Sequence, residues 1–455
     1  MAFDLNIKNL GKLADAKIRI GRFTVFAGPN NTGKSFVSKI VYSLFNAMNA
    51  NHAEVHINNL TDSLFEDIEL LSRWSEGSDA LLSPLKDEAD ALYNLAVKSP
   101  VGNIEELDKI IPNLVQKAND MQTIFQENRP SIKLAEQEDA DTLKGFEGNL
   151  AGELRNLEQS LRNLDALKFI ANGIKHKIEE NLIENFQVPS LSDLRGAEEI
   201  SSQVDIKNFG IFKFSNGDIE FEIDHVLLDK SQQFSKVIYV ESPVYWKLKN
   251  ALEDLWLRPR YMLIRRGQLS GIPRYFYDLV SALKSEYTGN MAFQNVYERI
   301  TGKDILGGKI VISDSGAFLF QENGRSFPLP VTAMGVANLG ILALLIERKV
   351  LDQEAFLFID EPEAHLHPAW QVVMAEALFD LAKGGAHVVI ATHSVDILKW
   401  LEVHIKRHPE DEKLVALNKF PVDGDESVEQ DFDDKLEDMK MELAQPFADL
   451  HIKGL

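Results

Sequence analysis

The stretch that most constrains this chain runs from Gly28 to Ser35 and reads GPNNTGKS. It fits the pattern G-x-x-x-x-G-K-[ST] at every fixed position. The run Phe23 to Ala27 before it is short and apolar, as in a buried strand, and the apolar residues after it recur at helical spacing. Strand, glycine-rich loop and helix together form a cradle for the phosphates of a nucleotide.

The loop motif gives each fixed residue a role. Gly28 and Gly33 let the backbone turn tightly, so that N–H groups and the helix N-terminus face the phosphates. Lys34 is expected to reach the β- and γ-phosphates, and the Ser35 hydroxyl to ligate Mg²⁺. The predicted nucleotide-binding residues of the loop are Gly28, Pro29, Asn30, Asn31, Thr32, Gly33, Lys34, Ser35 and Phe36.

Two later strands are predicted to complete the site. Phe356 to Ile359 is an apolar run that delivers Asp360 to Mg²⁺, and the adjacent Glu361 is placed to polarise the attacking water. A second apolar run ends just before His393, which could hydrogen-bond the γ-phosphate or could only cap the strand end. We expect Lys34, Glu361 and His393 to act in catalysis, and Ser35 and Asp360 to bind the metal.

Composition narrows the class of protein. The chain has 455 residues, a formal net charge of −22 and no cysteine, so disulfides and thiolate metal sites are excluded. The first residues lack the pattern of a signal peptide, and the longest apolar stretch, Leu339 to Ile346, is too short to span a bilayer. We therefore expect a cytoplasmic protein, and any contact with DNA would need a local basic patch.

A long polar, helical region separates the two parts of the nucleotide-binding fold. The predicted domains are residues 1–57 (N-terminal part with the P-loop), 58–203 (helical insertion), 204–415 (C-terminal part) and 416–455 (acidic tail or helix). Leucines at heptad spacing within the insertion fit either one arm of an antiparallel coiled coil or a helix packed on a bundle, and we expect them to carry subunit or partner contacts. They are Leu150, Leu154, Leu157, Leu161 and Leu164.

Three other segments leave alternatives open. Arginines interleaved with aromatic residues at 256–277 fit either a nucleic-acid contact or a helix face paired with the acidic surface of the same chain. The acid-rich stretch 423–442 is typical of a solvated segment, or of one that repels DNA or docks a basic partner. Glu363, His365 and His367 fit a loop at a dimer contact better than a metal site.

The motifs together carry a resemblance to a known family. GPNNTGKS, the helical insertion, FLFIDEPEAHLHP at 356–368 and ATHS at 391–394 resemble the ABC-type ATPases of the SMC-like branch, most of all the overcoming-lysogenization-defect (OLD) class and its stand-alone relatives. The resemblance implies an α/β fold, an ABC-type ATPase head with a mixed central sheet, an antiparallel β subdomain and a helical or coiled-coil insertion. It also implies slow hydrolysis of ATP to ADP and phosphate with Mg²⁺, and residues 363–368 as a D-loop that crosses a dimer interface.

Two positions depart from the family pattern. The signature turn should lie at 332–339, where Gly335 and Leu339 match but Ala333 or Met334 stands in place of the expected serine. Either the hydroxyl of Thr332 or the backbone N–H groups at Gly335 would then bind the γ-phosphate of the facing subunit. Glu241 stands where the Q-loop glutamine is expected.

The resemblance also implies partners. Heads of this type close as homodimers, or as higher homo-oligomers, around shared ATP molecules. The ATPase subunits of the PARIS and Septu anti-phage systems share this layout and work with a separately encoded effector, a nuclease, and about 60 residues after His393 are too few for a TOPRIM nuclease domain. The rival functions are a DNA-repair or chromosome-maintenance head that binds DNA directly, like RecF, and an ATP-binding scaffold with little turnover.

Overall fold

The structure is a computed structural model of the chain. It describes residues 2–76, 79–97, 104–134, 140–163, 165–194, 202–207, 210–215, 218–223, 236–241, 271–285, 287, 289–420 and 431–453. Several residues lie outside this part: 216–217, 242–243, the arginine-rich residues 256–266, Leu164 and the acidic residues 423–429.

The chain forms two compact units. One combines Met1–Asn49 with Asn181–Leu455, and the other is Ala50–Glu180. The predicted insertion, 58–203, therefore starts eight residues late and ends beyond the second boundary. The larger unit is built from both ends of the chain, as the resemblance implied.

A parallel β-sheet is the core of the larger unit. Its five described strands lie in the order β15-β3-β14-β13-β9, and every pairing between them is parallel rather than mixed. The strands are nearly continuous apolar runs because helices can cover both faces of such a sheet. In chain order they are β3 (Phe23–Ala27), β9 (Val237–Val240), β13 (Phe356–Asp360), β14 (His387–Thr392) and β15 (Val415–Lys419).

Two antiparallel sheets complete the β structure of this unit. One has the order β2-β1-β6-β7-β8, in which β7 and β8 form an antiparallel pair. The other is the three-stranded antiparallel sheet β10-β11-β12. Their strands are β1 (Phe3–Leu10), β2 (Leu13–Ile20), β6 (Ser202–Ile206), β7 (Gly210–Ser215), β8 (Asp218–Ile223), β10 (Gly308–Ile312), β11 (Phe318–Glu322) and β12 (Arg325–Pro328).

Helices surround the parallel sheet. Helix α1 follows the P-loop and packs on β9, β13 and β14, and α9 is buried along most of its length because it is apolar on all sides. The helices are α1 (Lys34–Met48), the end of α6 (Ala166–Phe186), α7 (Arg274–Lys284), α8 (Gln294–Thr301), α9 (Met334–Glu347), α10 (Pro368–Lys383), α11 (Val395–Arg407) and α12 (Phe432–Lys453).

The smaller unit is a helical bundle. Helices α2 to α5 pack in a closed order, each on two neighbours, and a two-residue strand pair joins their ends. The four described leucines of the heptad run are at most 1% exposed, so the chain's own helices bury them and the expected subunit contact through them is wrong. The elements are α2 (His52–Trp74), β4 (Ser75–Glu76), α3 (Asp79–Val97), α4 (Ile104–Asn128), β5 (Lys133–Leu134) and α5 (Ala140–Arg162).

The described part of the acidic tail is not a solvated segment. Residues 432–453 form helix α12, whose Leu436 and Met439 are buried. Lys419 of the edge strand β15 lies 3.4 Å from Glu442 and 3.8 Å from Asp438. Two acidic residues of this helix therefore contact the head, which extends past the predicted boundary at 415.

Candidate nucleotide site

The glycines of the P-loop stand where a side chain would not fit. Gly33 has φ +101°, a conformation that side chains disfavour, and it precedes the first residue of α1. A Cβ on Gly28 would lie 2.2 Å from the carbonyl oxygen of Phe420, so only glycine lets the loop pass β15 this closely. The predicted roles of both glycines rest on the same backbone requirement.

The N-terminus of α1 is available to an anion. Gly33 supplies no side-chain cap, and the first turn of this 15-residue helix contains no acidic residue. Its first N–H groups and the helix dipole therefore favour phosphate at this end. Within the loop, the Thr32 hydroxyl donates to the Pro29 carbonyl at 2.9 Å, and Lys12 donates to the Asn31 side chain at 2.6 Å.

The side chain of Phe36 packs against other residues of the chain. Its ring packs on Phe186 at 5.0 Å between centroids and also contacts Gly11. Any contribution of Phe36 to nucleotide binding would come from its backbone N–H at the start of α1.

Lys34 is held inside the loop. Its ammonium group donates to the carbonyl oxygens of Gly28 at 2.8 Å and Pro29 at 2.6 Å, and the residue is 8% exposed. Burial lowers the pKa of Lys34, whereas the carboxylates of Asp360, Glu361 and Glu363 act in the opposite direction. Three carboxylates and one lysine thus share one site, and the phosphates of ATP would give this lysine the anionic partner that the loop carbonyls replace.

Ser35 and Asp360 meet across the sheet. The Ser35 hydroxyl donates to Oδ1 of Asp360 at 2.9 Å, although 325 residues separate them in sequence. Burial raises the pKa of Asp360 to about 6, and the charge of Glu241 adds to that rise. A partly buried hydroxyl beside a buried carboxyl supplies the hard oxygen ligands that Mg²⁺ prefers, so these two residues fit the predicted metal.

Glu361 and His393 lie at the ends of the neighbouring strands β13 and β14. Nδ1 of His393 is 3.6 Å from Oε1 of Glu361 and 3.4 Å from Oε1 of Glu363. Glu361 has φ +52°, and its backbone N–H donates to the Ala391 carbonyl at 2.8 Å. The side chains of Glu361 and His393 are 48% and 43% exposed, so both are accessible to water and ligand.

The signature-like turn packs on the loop that follows β13. A Cβ on Gly335 would lie 2.8 Å from the His365 carbonyl, and the Asn338 amide donates to the Ala364 carbonyl at 2.8 Å. The Thr332 hydroxyl donates its hydrogen to the Leu329 carbonyl at 2.7 Å, so this hydrogen is not available to a phosphate. Because the first turn of α9 has no side-chain cap and no acidic residue, its backbone N–H groups are the better of the two predicted phosphate contacts in this turn.

Glu241 is tied to the helix of the P-loop. Its Oε1 lies 3.0 Å from Nζ of Lys39, and its Oε2 accepts a hydrogen bond from the Tyr275 hydroxyl. Sequence reasoning placed Glu241 near the site but missed Lys39, whose charge has no motif to mark it. Lys39 lies one turn after Ser35, and this spacing was the available signal.

The other predicted candidates have structural partners. His367 caps α10, with Nδ1 accepting from the Ala369 N–H at 3.2 Å. Within the described residues, no group of three or more histidine and acidic residues has the arrangement of a metal site. Arg274 pairs with Glu184 at 3.0 Å, so the described part of the arginine-rich segment contacts the chain itself.

Comparison with known families gives the class of this site. The family described as "AAA ATPase domain" matches residues 3–398, which include the P-loop, Asp360, Glu361 and His393. The chain belongs to this family. It is thus a P-loop ATPase by family, with the motif residues brought together as described.

Solved structures similar to this AAA ATPase domain include heads of SMC proteins. The SMC head domain from Thermotoga maritima is 11% identical, with a TM-score of 0.31, over 88% of this chain and 92% of that one. An SMC head bound to the C-terminal winged-helix domain of ScpA is 12% identical, with a TM-score of 0.37, over 87% and 90%. A Pyrococcus furiosus head with an extended coiled coil, bound to the C-terminal domain of ScpA, is 10% identical, with a TM-score of 0.29, over 90% and 100%.

A search of curated proteins finds no match to this AAA ATPase domain. None of the helices in the described part of the chain combines the length and apolarity that crossing a membrane requires.

Proposed function

We propose that the chain is an ATP-hydrolysing molecular switch whose two states differ in affinity for a separate effector protein. The observation that supports ATP hydrolysis is the hydrogen bond between Ser35 and Asp360, with Lys34, Glu361 and His393 around it. These residues come from two strand ends and one helix start and converge there, although they lie at opposite ends of the sequence.

The residues divide the work of hydrolysis among them. The loop N–H groups and Lys34 bind the β- and γ-phosphates, and Glu361 orients a water molecule for attack on the γ-phosphorus and accepts its proton. His393 donates to a γ-phosphate oxygen. Mg²⁺ held by Ser35 and Asp360 would neutralise charge on the phosphates when bound.

Two copies would close around the nucleotide. The N-terminus of α9 at Gly335 would face the γ-phosphate of the opposite copy, and the loop 363–368 would lie at the contact, as in the ABC-type heads that the motifs resemble. Because Ala333 and Met334 stand in place of the signature serine, the contact relies on backbone N–H groups, and we expect slow turnover.

The biological role that we propose is anti-phage defence. The resemblance to the ATPase subunits of PARIS and Septu systems motivates an effector encoded separately, a nuclease, which the ATP-bound and released states would hold and free. An ATP-driven switch performs a function only if its two states bind something else with different affinity. The net charge of −22 favours a basic partner protein over DNA.

Copurification tests this role. Tagged wild-type chain expressed with its neighbouring genes should retain a second polypeptide, and the Lys34→Ala variant should retain it to a different extent. The purified chain alone should leave plasmid DNA intact with ATP and Mg²⁺. Cleavage by the isolated chain that Lys34→Ala abolishes would contradict a separate effector.

One structural observation favours the rival function, direct DNA binding. An open groove of about 970 Å³ lies between the antiparallel sheet and β15 with α12. Five cationic residues line it beside three aspartates, so it is a local basic patch in an acidic chain. The cations are Lys17, Arg19, Lys207, Lys413 and Lys435.

A gel shift separates the two functions. A chain that binds duplex DNA through this groove would lose affinity steeply between low and physiological salt, and Lys17→Glu combined with Lys413→Glu would abolish the shift. An effector-binding switch shows no shift at physiological salt, and the same charge changes leave its ATP turnover intact.

A further inference from the structure

Lys39 and Glu241 form an ion pair that has no role in the scheme above. Nζ of Lys39, on α1 one turn after Ser35, lies 3.0 Å from Oε1 of Glu241, which directly follows β9. The two side chains are 18% and 21% exposed, so water screens their charges less than it would on an open surface. The motifs resemble a pattern with an uncharged glutamine where Glu241 stands, so the charge at this position is a departure from that pattern.

Tyr275 holds the pair in place. Its hydroxyl donates to Oε2 of Glu241, and Nζ of Lys39 lies 5.3 Å from the centroid of its ring. The tyrosine is 1% exposed, and its backbone N–H donates to the Asn185 side chain at 2.9 Å. Both oxygens of Glu241 thus have a donor, and Lys39 is attracted by a carboxylate and by a ring face. The charge of Lys39 is therefore fixed at this position in the fold.

The pair adjoins the predicted metal ligand Asp360. Val240, the last residue of β9, pairs in parallel with Ile359 of β13. The residues that follow them, Glu241 and Asp360, therefore lie at the same edge of the sheet, and both line one cavity of about 20 Å³. Lys39 thus offsets a second negative charge beside the metal ligand.

These charges bear on the affinity of the site for a cation. Two carboxylates side by side attract a divalent cation even when no nucleotide is bound. Lys39 opposes this attraction, because its charge cancels that of Glu241 and repels a cation at Asp360. The phosphates of ATP would bring several negative charges to the start of α1, and these outweigh one ammonium group. Lys34 is also cationic, but it is assigned to the phosphates.

We propose that Lys39 makes the binding of a divalent cation by Ser35 and Asp360 depend on ATP. In the nucleotide-free chain its charge lowers the affinity of the site for Mg²⁺. When ATP is bound, the phosphates supply the negative charge that the ion requires. Lys39 acts through Asp360 and contacts neither the ion nor the reacting atoms. This inference rests on the proposed ATPase function and adds an electrostatic control to it.

The variant Lys39→Met tests the proposal, because it keeps an unbranched apolar stem and removes the charge. The probe is Mn²⁺ alone, which stands in for Mg²⁺ and whose free form gives an electron paramagnetic resonance signal. We expect the nucleotide-free variant to bind Mn²⁺ on the order of tenfold more tightly than the nucleotide-free wild type, since the ion no longer meets a fixed ammonium group.

Equilibrium dialysis tests the dependence on ATP itself. At one low Mn²⁺ concentration, the wild type should retain the ion only with a non-hydrolysable ATP analogue, whereas Lys39→Met should retain it without one. A wild type that retains as much Mn²⁺ without the analogue as with it would overturn the proposal. An ion pair with a merely structural role would lower the melting temperature of Lys39→Met and leave its Mn²⁺ affinity unchanged.

Three further variants locate the effect. Adding Asp360→Asn to Lys39→Met should remove the gain, since the metal ligand is lost. Adding Glu241→Gln to Lys39→Met should return the affinity towards that of the wild type, because the negative charge is lost together with the positive one. Lys309→Met breaks an ion pair with Glu347 (2.6 Å) at the C-terminal end of α9; it is the matched control and should bind Mn²⁺ as the wild type does.

A folded Lys39→Met variant with the Mn²⁺ affinity of the wild type would overturn the proposal, as would a gain that survives Asp360→Asn. Circular dichroism shows whether each variant is folded. Lys39→Gln, whose amide can still donate to Glu241, replaces Lys39→Met if that variant is unfolded, with the same expected gain. If the wild type showed no Lys34-dependent ATP binding, the proposed function would fail, while the Mn²⁺ titrations of the nucleotide-free chain would still decide the effect of Lys39 on the metal site.

Discussion

The carboxyl of Asp360 is buried before any metal ion reaches it. Burial raises its pKa to about 6, and the Ser35 hydroxyl is its hydrogen-bond donor. A carboxyl with a raised pKa in the folded protein favours folding while it is protonated. That contribution is complete below the unfolded pKa, near 3.9, and is lost as the pH rises through about 6.

We predict that Asp360→Asn stabilises the chain at neutral pH in the absence of metal. The Asn amide oxygen still accepts a hydrogen bond from the Ser35 hydroxyl. Because the amide is uncharged, its burial does not require a charge to be desolvated. The free energy of unfolding should exceed that of the wild type by about 2–3 kcal/mol at pH 8, and the difference should shrink as the pH falls towards 5. Urea denaturation with EDTA across this pH range measures it. A gap that is the same at pH 8 and pH 5 would show that titration of Asp360 does not cause it.

Lys34→Ala should weaken ATP binding on the order of a hundredfold. The phosphates lose a charge-assisted donor, and each such hydrogen bond contributes about 1.5–3 kcal/mol. Equilibrium titration with a fluorescent ATP analogue measures the change. Lys303→Ala, which removes an exposed lysine on the loop after α8, is the control and should bind as the wild type does.

Sequence motifs predicted those residues of the candidate site that belong to motifs found in many proteins. Lys34, Ser35, Asp360 and Glu361 were predicted because their spacing reflects a fixed backbone geometry. The burial of Glu363 and the Lys39–Glu241 pair could not be predicted in this way, because both depend on which strand ends become neighbours in the folded chain. A single charged residue forms no repeating pattern in the sequence, so the sequence does not indicate which residue it will pair with.

At the scale of elements, the smaller unit is stabilised by its own apolar seam. Leu157 is 1% exposed on α5, which packs on α2 and α4. We predict that Leu157→Ala lowers the stability of this unit by about 2–5 kcal/mol, because it leaves a cavity in a packed core. Asn156→Ala, at the exposed neighbouring position, should have little effect.

Urea unfolding and light scattering together test this seam. The mass of the chain should not change in Leu157→Ala, and ATP binding should persist, since the nucleotide residues lie in the other unit. A change in mass with unchanged stability would restore the idea that this leucine seam joins subunits.

The elements were predicted better than their packing. The predictions of the P-loop strand and helix and of the two apolar strands that lead to Asp360 and His393 were correct, since each has a clear period or apolar run. Heptad spacing alone did not distinguish a seam within one chain from one between chains, because the burial requirement is the same in both. The acidic composition of 431–442 concealed an amphipathic helix, α12, whose buried face contains few residues.

At the scale of the whole molecule, the ends of the sequence build one unit and the middle builds another. Because Lys34 and Asp360 lie far apart in sequence, they share one site only after the chain has folded. ATP binding therefore reports directly on the assembly of that unit. The proposed switch adds that two such units close around ATP. On the same proposal, hydrolysis then opens them.

The mass of Glu361→Gln with and without ATP tests this account most directly. Removing the group that activates water should leave ATP binding intact and trap the closed state. Light scattering should give 51.2 kDa for the nucleotide-free variant and about twice that mass with ATP and Mg²⁺, whereas Lys34→Ala should stay at the lower mass. A Glu361→Gln variant that hydrolyses ATP at the wild-type rate, or whose mass does not respond to ATP, would contradict the account.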